Sequence, residues 1–459
     1  MTTNDIGALP TRQMESIKLD NLLINFTTEF NRVLDTRNLR TSAAGFWRPT
    51  PAPDVLQGYF PLGDVAISSN SNINGFVAAA VVCESALPSV DSTKGNALSP
   101  PSDFERVWSD AGSGATTTRS IWRAIPPAGY VALGMVCSGD DVKPSFNAVR
   151  CVRADLVIAA NVGDLIWNDR RSNATKNVSA WNIDPPTAAA GEMYLAPGTF
   201  FGVENHSKPE TALVYALRMQ IPLQVTAAPE PPALSGYDAP PAVEAWQVTQ
   251  IAKLPWFAVK DSIDPIDQLR TSPYYRLERT DKWKLVGYDR NTSDKARPFK
   301  CSAMRAQNPT TAHEFNRFTS IEFEGAWPID FPRRAFNFSA NLTKRFTHTE
   351  KSAAGWLKSW PQEVIAMAAK NKAVAIYQME STYQLLREDG TPVTSSIQYT
   401  DDESLHLSEY PPEVNCAVTV APPPTAHSPL SENASETVSD VTVIPQPMEE
   451  LPVATDTAP

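Results

Sequence analysis

Three stretches of the chain repeat one another, and this repetition restricts the fold more than any other feature. They are EFNRVLDTRNLRTSAAGFWRPTP from Glu29, DFERVWSDAGSGATTTRSIWRAIPP from Asp103 and VGDLIWNDRRSNATKNVSAWNIDPP from Val162. In each, an apolar pair precedes an aspartate (Asp35, Asp110, Asp169), and a tryptophan (Trp47, Trp122, Trp181) follows twelve positions later. A proline pair or near-pair comes next, then a glycine-led segment: GYFPLGDVA, GYVALGMVC and the degenerate GEMYLAPGTFFGV. Only three copies occur, without the distinct capping repeats an open solenoid needs. The pattern predicts one closed, pseudo-threefold domain.

Short alternating runs such as AVRCVRADLVI, with turns between them, make each unit read as strands. The expected fold is therefore mainly β, with a β-prism or a β-trefoil over residues 19–225. Composition agrees: 40 prolines against 20 glycines disfavour helix interiors and central strands. An extension, residues 1–18, precedes this domain.

The Pro/Ala-rich run TAAPEPPALSGYDAPPAV marks a linker over residues 226–243. A second β-rich domain with one or two helices is expected over 244–416. Its strands read as SPYYRLERTDKWKLVGYD, FTSIEFEGAW, AFNFSANLTKRFT and STYQLLREDGTPV, the last entering a turn at Asp389-Gly390. A helix is expected over SWPQEVIAMAAKNKAVAI, where Ser359 would cap and Pro361 suits the first turn. From 417 to 459 the chain is acidic and without aromatic rings, Lys or Arg, and reads as a disordered tail.

A formal net charge of -11 argues against a nucleic-acid partner, because phosphate binding needs a basic surface. Five cysteines without CxxC spacing read as small buried hydrophobes, so no metal is expected. No cofactor motif occurs. The Gly112-Ser-Gly-Ala115 patch lacks phosphate-loop spacing and precedes a strand-forming run, so it reads as a turn. The five histidines sit in no catalytic frame and no GxSxG elbow occurs, so the chain is not expected to be an enzyme.

Asp35, Asp110 and Asp169 read first as turn-forming acceptors, and Trp47, Trp122 and Trp181 as packing anchors. The competing reading makes all six ligand-binding, the rings by stacking on a sugar. Trp283, between Lys282 and Lys284, is a further candidate for a headgroup or glycan. The alternation Phe336, Phe338, Ala340, Leu342 would also suit a transmembrane barrel strand over 336–347. There is neither a basic n-region with an apolar run nor a stretch of about 20 apolar residues. The expectation is synthesis in the cytoplasm, followed by a peripheral membrane location or release by a non-classical route.

The stretches FWRPTP with GYFPLGDVA, SIWRAIPPAGYVALGMV, KPSFNAVRCVRADLV and IWNDRRSNA resemble the Vps62 family, a vacuolar protein sorting-associated family, over about residues 19–222. Similar units occur in a large lipid-transfer protein of vacuolar sorting, where they serve adaptor binding. The resemblance implies a non-catalytic module recognising a membrane surface, a glycan or a protein adaptor, with room for a homo-oligomer. It supplies no catalytic residues. The second domain is similar to regions beside Vps62-like domains in bacterial proteins suspected to be insecticidal or pore-forming toxins. The alternative function is thus a toxin-like protein whose second domain inserts into membranes.

Overall fold

A computed structural model describes residues 13–37, 39–114, 118–210, 212–241, 246–305, 309–328, 335–347 and 360–412. Residues 1–419 form one compact unit. The expected acidic tail and most of the expected N-terminal extension lie outside the described residues.

The first unit contains β1 (Ile17–Leu19), β2 (Leu22–Thr27), β3 (Phe30–Asp35), β4 (Gly45–Pro49), β5 (Phe60–Pro61), β6 (Val65–Ile67) and β7 (Ala79–Glu84). The second contains β8 (Leu98–Ser99), β9 (Asp103–Ser109), β10 (Ser120–Ile125), β11 (Tyr130–Val131), β12 (Met135–Ser138) and β13 (Cys151–Arg153). The third contains β14 (Val157–Ala159), β15 (Asn161–Asn168), β16 (Ser179–Asp184), β17 (Glu192–Ala196), β18 (Phe201–Val203), β19 (Tyr215–Gln220) and β20 (Leu223–Val225). The remainder forms β21 (Trp246–Pro255), α1 (Pro265–Thr271), β22 (Tyr274–Arg290), β23 (Arg297–Arg305), α2 (Pro309–Thr319), β24 (Asn337–Ala340), α3 (Lys344–Thr347), β25 (Trp360–Ala368), β26 (Ala373–Leu386) and β27 (Ile397–Tyr410).

Each unit contributes a three-stranded antiparallel sheet in the same order: β3-β4-β6, β9-β10-β12 and β15-β16-β18. Their inner faces share one apolar cluster that includes Leu34, Phe46, Trp108, Ile121, Met135, Trp167 and Phe200. The Trp167 ring stands nearly perpendicular to Phe46 at 5.6 Å and to Trp108 at 5.9 Å. Such edge-to-face pairs add about 1 kcal/mol each beyond the area they bury.

The three chains also cross at one point. Asp64 N donates to Met135 O at 2.8 Å, and Met135 N donates to Phe200 O at 3.2 Å. There a Cβ on Gly63 would lie 2.9 Å from Gly134 Cα, and one on Gly134 only 2.3 Å from Thr199 Cβ. Two glycines and one small side chain therefore let the backbones meet.

Further strands form a second set of sheets, β1-β2-β7-β5, β8-β13-β11 and β14-β19-β17-β24. They are followed by a five-stranded sheet, β20-β21-β22-β26-β27, and a separate two-stranded ribbon, β23-β25. Residues 226–241 carry neither helix nor strand. Packing nevertheless crosses that linker: one core cluster joins Ile24, Val152 and Leu195 to Trp256, Phe338 and Tyr383.

Three local expectations are corrected. The described part of the expected helix after Ser359 is instead β25 and the start of β26. Val364, Ala366 and Ala368 face inward, while Glu363 and Met367 are exposed, which is a period of two. Ala366 and Ala368 pack with Val364, Val374 and Ile376, and a Cβ on Gly287 of β22 would lie 2.7 Å from Cys301 Cβ, so the ribbon sits directly on the main sheet.

The strand expected over Phe318–Trp327 is irregular and follows α2. Helix α1, begun by Pro265 and capped by Asp264 Oδ1 accepting from Ile266 N at 3.2 Å, lies where the sequence reading placed no helix. The proposed barrel strand at 336–347 is the four-residue β24, with Phe336, Phe338, Ala340 and Leu342 all buried in the main core. The Asp389-Gly390 turn forms as expected, with Gly390 at φ 85 and Gly390 N donating to Arg387 O at 2.9 Å.

Candidate functional site

The loops joining the first two strands of each repeated sheet are built alike. The residue after β3, β9 and β15 is Thr36, Asp110 and Asp169, each 2% exposed. Leu39 N, Ser113 N and Ser172 N close the same tight turn on the carbonyls of Thr36, Asp110 and Asp169 at 3.0, 3.0 and 2.9 Å. The side chains then hold the far end of each loop. Thr36 Oγ1 accepts from Ala44 N at 2.7 Å, Asp110 Oδ1 from Arg119 N at 2.7 Å, and Asp169 Oδ1 from Val178 N at 2.9 Å.

Asp35 is therefore not the counterpart of Asp110 and Asp169; Thr36 is. The first loop is one residue shorter, Thr36 to Ala44 against Asp110 to Arg119, and this shortening creates the shared twelve-residue spacing at the wrong aspartate. Asp35 instead bonds Arg37 Nη2 at 2.9 Å and Arg37 Nε at 3.1 Å. Burial would raise its pKa, but these bonds hold it below the usual carboxylate value.

The loops are tied to one another in a ring. Trp108 Nε1 of the second unit donates to Asp169 Oδ2 and Lys176 O of the third, both at 3.0 Å. Trp167 Nε1 of the third reaches Thr41 Oγ1 and Ser42 O of the first at 3.3 and 3.2 Å. The first unit has Leu34 at that position, with no donor to offer the second unit's loop. Asp110 Oδ2 is accordingly buried without a hydrogen bond and stands 4.0 Å from Arg119 Nη1, and burial raises the Asp110 pKa. Arg119 spans this joint through Nη1, which donates to Asp35 O at 2.8 Å.

Trp47, Trp122 and Trp181 are at most 7% exposed. Trp122 Nε1 donates to Ser120 Oγ at 2.7 Å, and Trp181 Nε1 to Ser179 Oγ at 2.8 Å. Gly45 holds the serine position in the first unit, leaving Trp47 Nε1 without an acceptor beneath the Arg32 guanidinium, 4.5 Å from the ring centroid. Trp283 is 8% exposed and donates to Pro229 O at 3.0 Å, while Lys282 and Lys284 both contact Glu380, at 2.8 and 3.5 Å. All seven singled-out side chains thus work within the fold. The sequence reading missed His206, whose Nε2 lies 2.6 Å from Asp169 Oδ1.

The surface of the loop ring has a different character. Asp110 and Asp169 are buried, whereas Arg40, Arg170 and Arg171 are exposed. Among the described residues none of the three has an ion partner. Acids on adjoining loops are engaged: Asp141 with Arg106, and Glu204 with Lys176 at 3.8 Å. Asp140 Oδ1 accepts from Val142 N at 3.3 Å and from Ser138 Oγ. Arg40, Arg170 and Arg171 therefore place exposed positive charge on the ring of a chain whose formal charge is -11.

A motif residue explains the far side of the domain. Arg153 of CVRADLV is 6% exposed and bonds Asp155 Oδ1 at 2.6 Å, Asp20 Oδ2 at 2.7 Å, Gly95 O at 2.7 Å and Asn21 Oδ1 at 3.1 Å. Hydrogen bonds from Ser89 Oγ and Val90 N, with the Arg153 charge, lower the Asp20 pKa to about 2. Arg48 plays a similar part inside, its Nε and Nη2 meeting both oxygens of the fully buried Asp64 at 2.8 and 2.9 Å.

No curated protein matches the chain. Among solved structures, GNIP1Aa from Chromobacterium piscinae is 24% identical with a TM-score of 0.35, over 43% of this chain and only 37% of that one. Cry35Ab1 is 8% identical with a TM-score of 0.31, over 86% of this chain and 91% of that one. Residues 10–231 match the model of the Vps62 family, described as vacuolar protein sorting-associated protein 62. The stretches that resemble the family in sequence lie within this match and build the three repeated units.

Proposed function

We propose that this chain is a non-catalytic Vps62-like binding protein that recognises an anionic membrane surface through its loop ring. In this reading β3-β4-β6, β9-β10-β12 and β15-β16-β18 are the three faces of a pseudo-threefold β-prism, and the loops crown one end of it. The observation that carries the proposal is the exposure of Arg40, Arg170 and Arg171 on a loop ring whose Asp110 and Asp169 are buried and bonded inside. Basic side chains near an anionic leaflet contribute about 1 kcal/mol each. A glycan reading would need an exposed ring, and Trp47, Trp122 and Trp181 are buried. The test is co-flotation with phosphatidylserine vesicles. Replacing the three arginines by alanine is expected to weaken binding by about 3 kcal/mol, or about 100-fold.

A second reading, toxin-like membrane insertion, draws support from a different observation. The paired strands β22 and β26 end at Arg290 opposite Ala373, and the ribbon begins at Arg297 opposite Ala368. Residues 291–296 and 369–372 alone separate the two pairings, so the ribbon is the continuation of the same hairpin, bent back over its own sheet. Its nine-residue strands have the length of a transmembrane β-strand. Dye leakage from liposomes, abolished by a cross-link that pins the ribbon to β22, is the expected result. Flotation without leakage leaves the binding reading alone.

A further inference from the structure

The three units repeat a second feature: a glycine-led strand whose outer edge needs a partner. Gly58, Gly129 and Gly191 share a left-handed backbone, with φ of 79, 83 and 85. The next residue closes an identical turn each time: Tyr59 N on Leu56 O, Tyr130 N on Pro127 O, and Glu192 N on Ala189 O. The strands that follow, β5, β11 and β17, pair on one side with β7, β13 and β19, and send Leu62, Leu133 and Leu195 into the common core.

The opposite edges differ. In the third unit β24 covers β17, with Met193 opposite Ala340 and Leu195 opposite Phe338, and Asn341 N donates to Glu192 O at 3.0 Å. In the first, Pro61 has no N–H, and its carbonyl accepts from Arg150 N at 3.1 Å. In the second, Gly129 O accepts from Ala154 N at 2.9 Å, so strand alternation turns the Tyr130 carbonyl and the Ala132 N–H and carbonyl away from β13. No described residue bonds these outward groups. They open on a cleft of about 500 Å³ whose walls include Ala124, Ile183, Phe201 and Val214. Leu213 stands 84% exposed at its rim.

We infer that this cleft is a docking site for an extended segment of a partner protein, added as a strand to β11. The equivalent edge in the third unit defines the occupant: an antiparallel strand with apolar side chains at alternate positions, as Phe338 and Ala340 are on β24. A second copy of this chain does not supply it, because in each copy that segment already lies on β17. Main-chain bonds to the Ala132 edge give affinity, and the apolar walls select the side chains. This surface is separate from the loop ring and does not depend on membrane recognition.

The test titrates the full chain with a pool of synthetic peptides carrying apolar side chains at alternate positions, the Ala335–Leu342 sequence among them. The expected result is saturable binding by at least one member, with slowed hydrogen exchange at the Ala132 amide. Ala132→Pro, which removes the edge donor, and Leu213→Asp, which charges the exposed rim without touching the core, should each weaken it about tenfold. Vesicle flotation should be unchanged in Leu213→Asp. Failure of every peptide to slow exchange at Ala132, or binding indifferent to Leu213→Asp, overturns the assignment.

Discussion

Asp169 and Asp110 hold the same place in two units and meet different neighbours. Asp169 accepts from Trp108, Ser172 and Val178 and lies 2.6 Å from His206 Nε2, so every oxygen is used. Asp169→Asn would set an amide donor or a weaker acceptor against these groups, and should cost about 3 kcal/mol. Asp110→Asn keeps an acceptor for Arg119 N and removes a buried charge that lacks its second partner, so the change should stay within about 1 kcal/mol. Comparing the thermal midpoints of the two variants checks this asymmetry; equal losses would contradict it. The turn-forming role of these aspartates was legible from residue type and position. Asp35 was misplaced because a one-residue deletion in a loop is invisible when a neighbouring aspartate restores the spacing. The missing indole at Leu34 and the missing serine at Gly45 become meaningful only when three-dimensional equivalents are compared.

Arg153 fastens β13 to the turn between β1 and β2, and its pairing with Asp20 makes this latch pH-sensitive. The folded-state pKa of Asp20 lies near 2 against an ordinary 3.8. Stability from this carboxylate is therefore present above pH 3.8 and is lost as pH falls towards 2. Asp20→Asn should lower the thermal midpoint at neutral pH and flatten its dependence across that window; an unchanged acid profile would show that the latch carries no linkage. Elements were legible where alternation was strict, as in β22 and the repeated strands. They were misread where alanine was abundant. Helix propensity favours alanine, but Ala366 and Ala368 of β25 are buried in one cluster with Val364, Val374 and Ile376, and tertiary packing overrides propensity. The half-buried strand read at Phe336–Thr347 forms over Asn337–Ala340. Alternating aromatics mark a strand with one buried face, and here that face is the protein's own core.

Across the whole molecule, the three repeated units and the sheet that follows them share a core, so the Pro/Ala-rich run at 226–241 separates stretches of sequence that packing reunites. A sequence shows the composition of a linker but not whether the segments on either side bury surface together. Charge is distributed in the same hidden way. The chain total of -11 conceals a loop ring whose Asp110 and Asp169 are buried while Arg40, Arg170 and Arg171 are exposed. Any attraction this ring has for a membrane should be electrostatic, and so should weaken steeply as salt shortens the Debye length from about 10 Å at 0.1 M to about 3 Å at 1 M. The central claim is tested most directly by flotation of the full chain, and of the Arg40→Ala, Arg170→Ala, Arg171→Ala triple variant, with vesicles of phosphatidylcholine alone or with phosphatidylserine. Binding confined to the anionic vesicles, reduced about 100-fold in the variant and lost at high salt, is the predicted result; binding that ignores lipid charge, or that the triple variant retains in full, contradicts it.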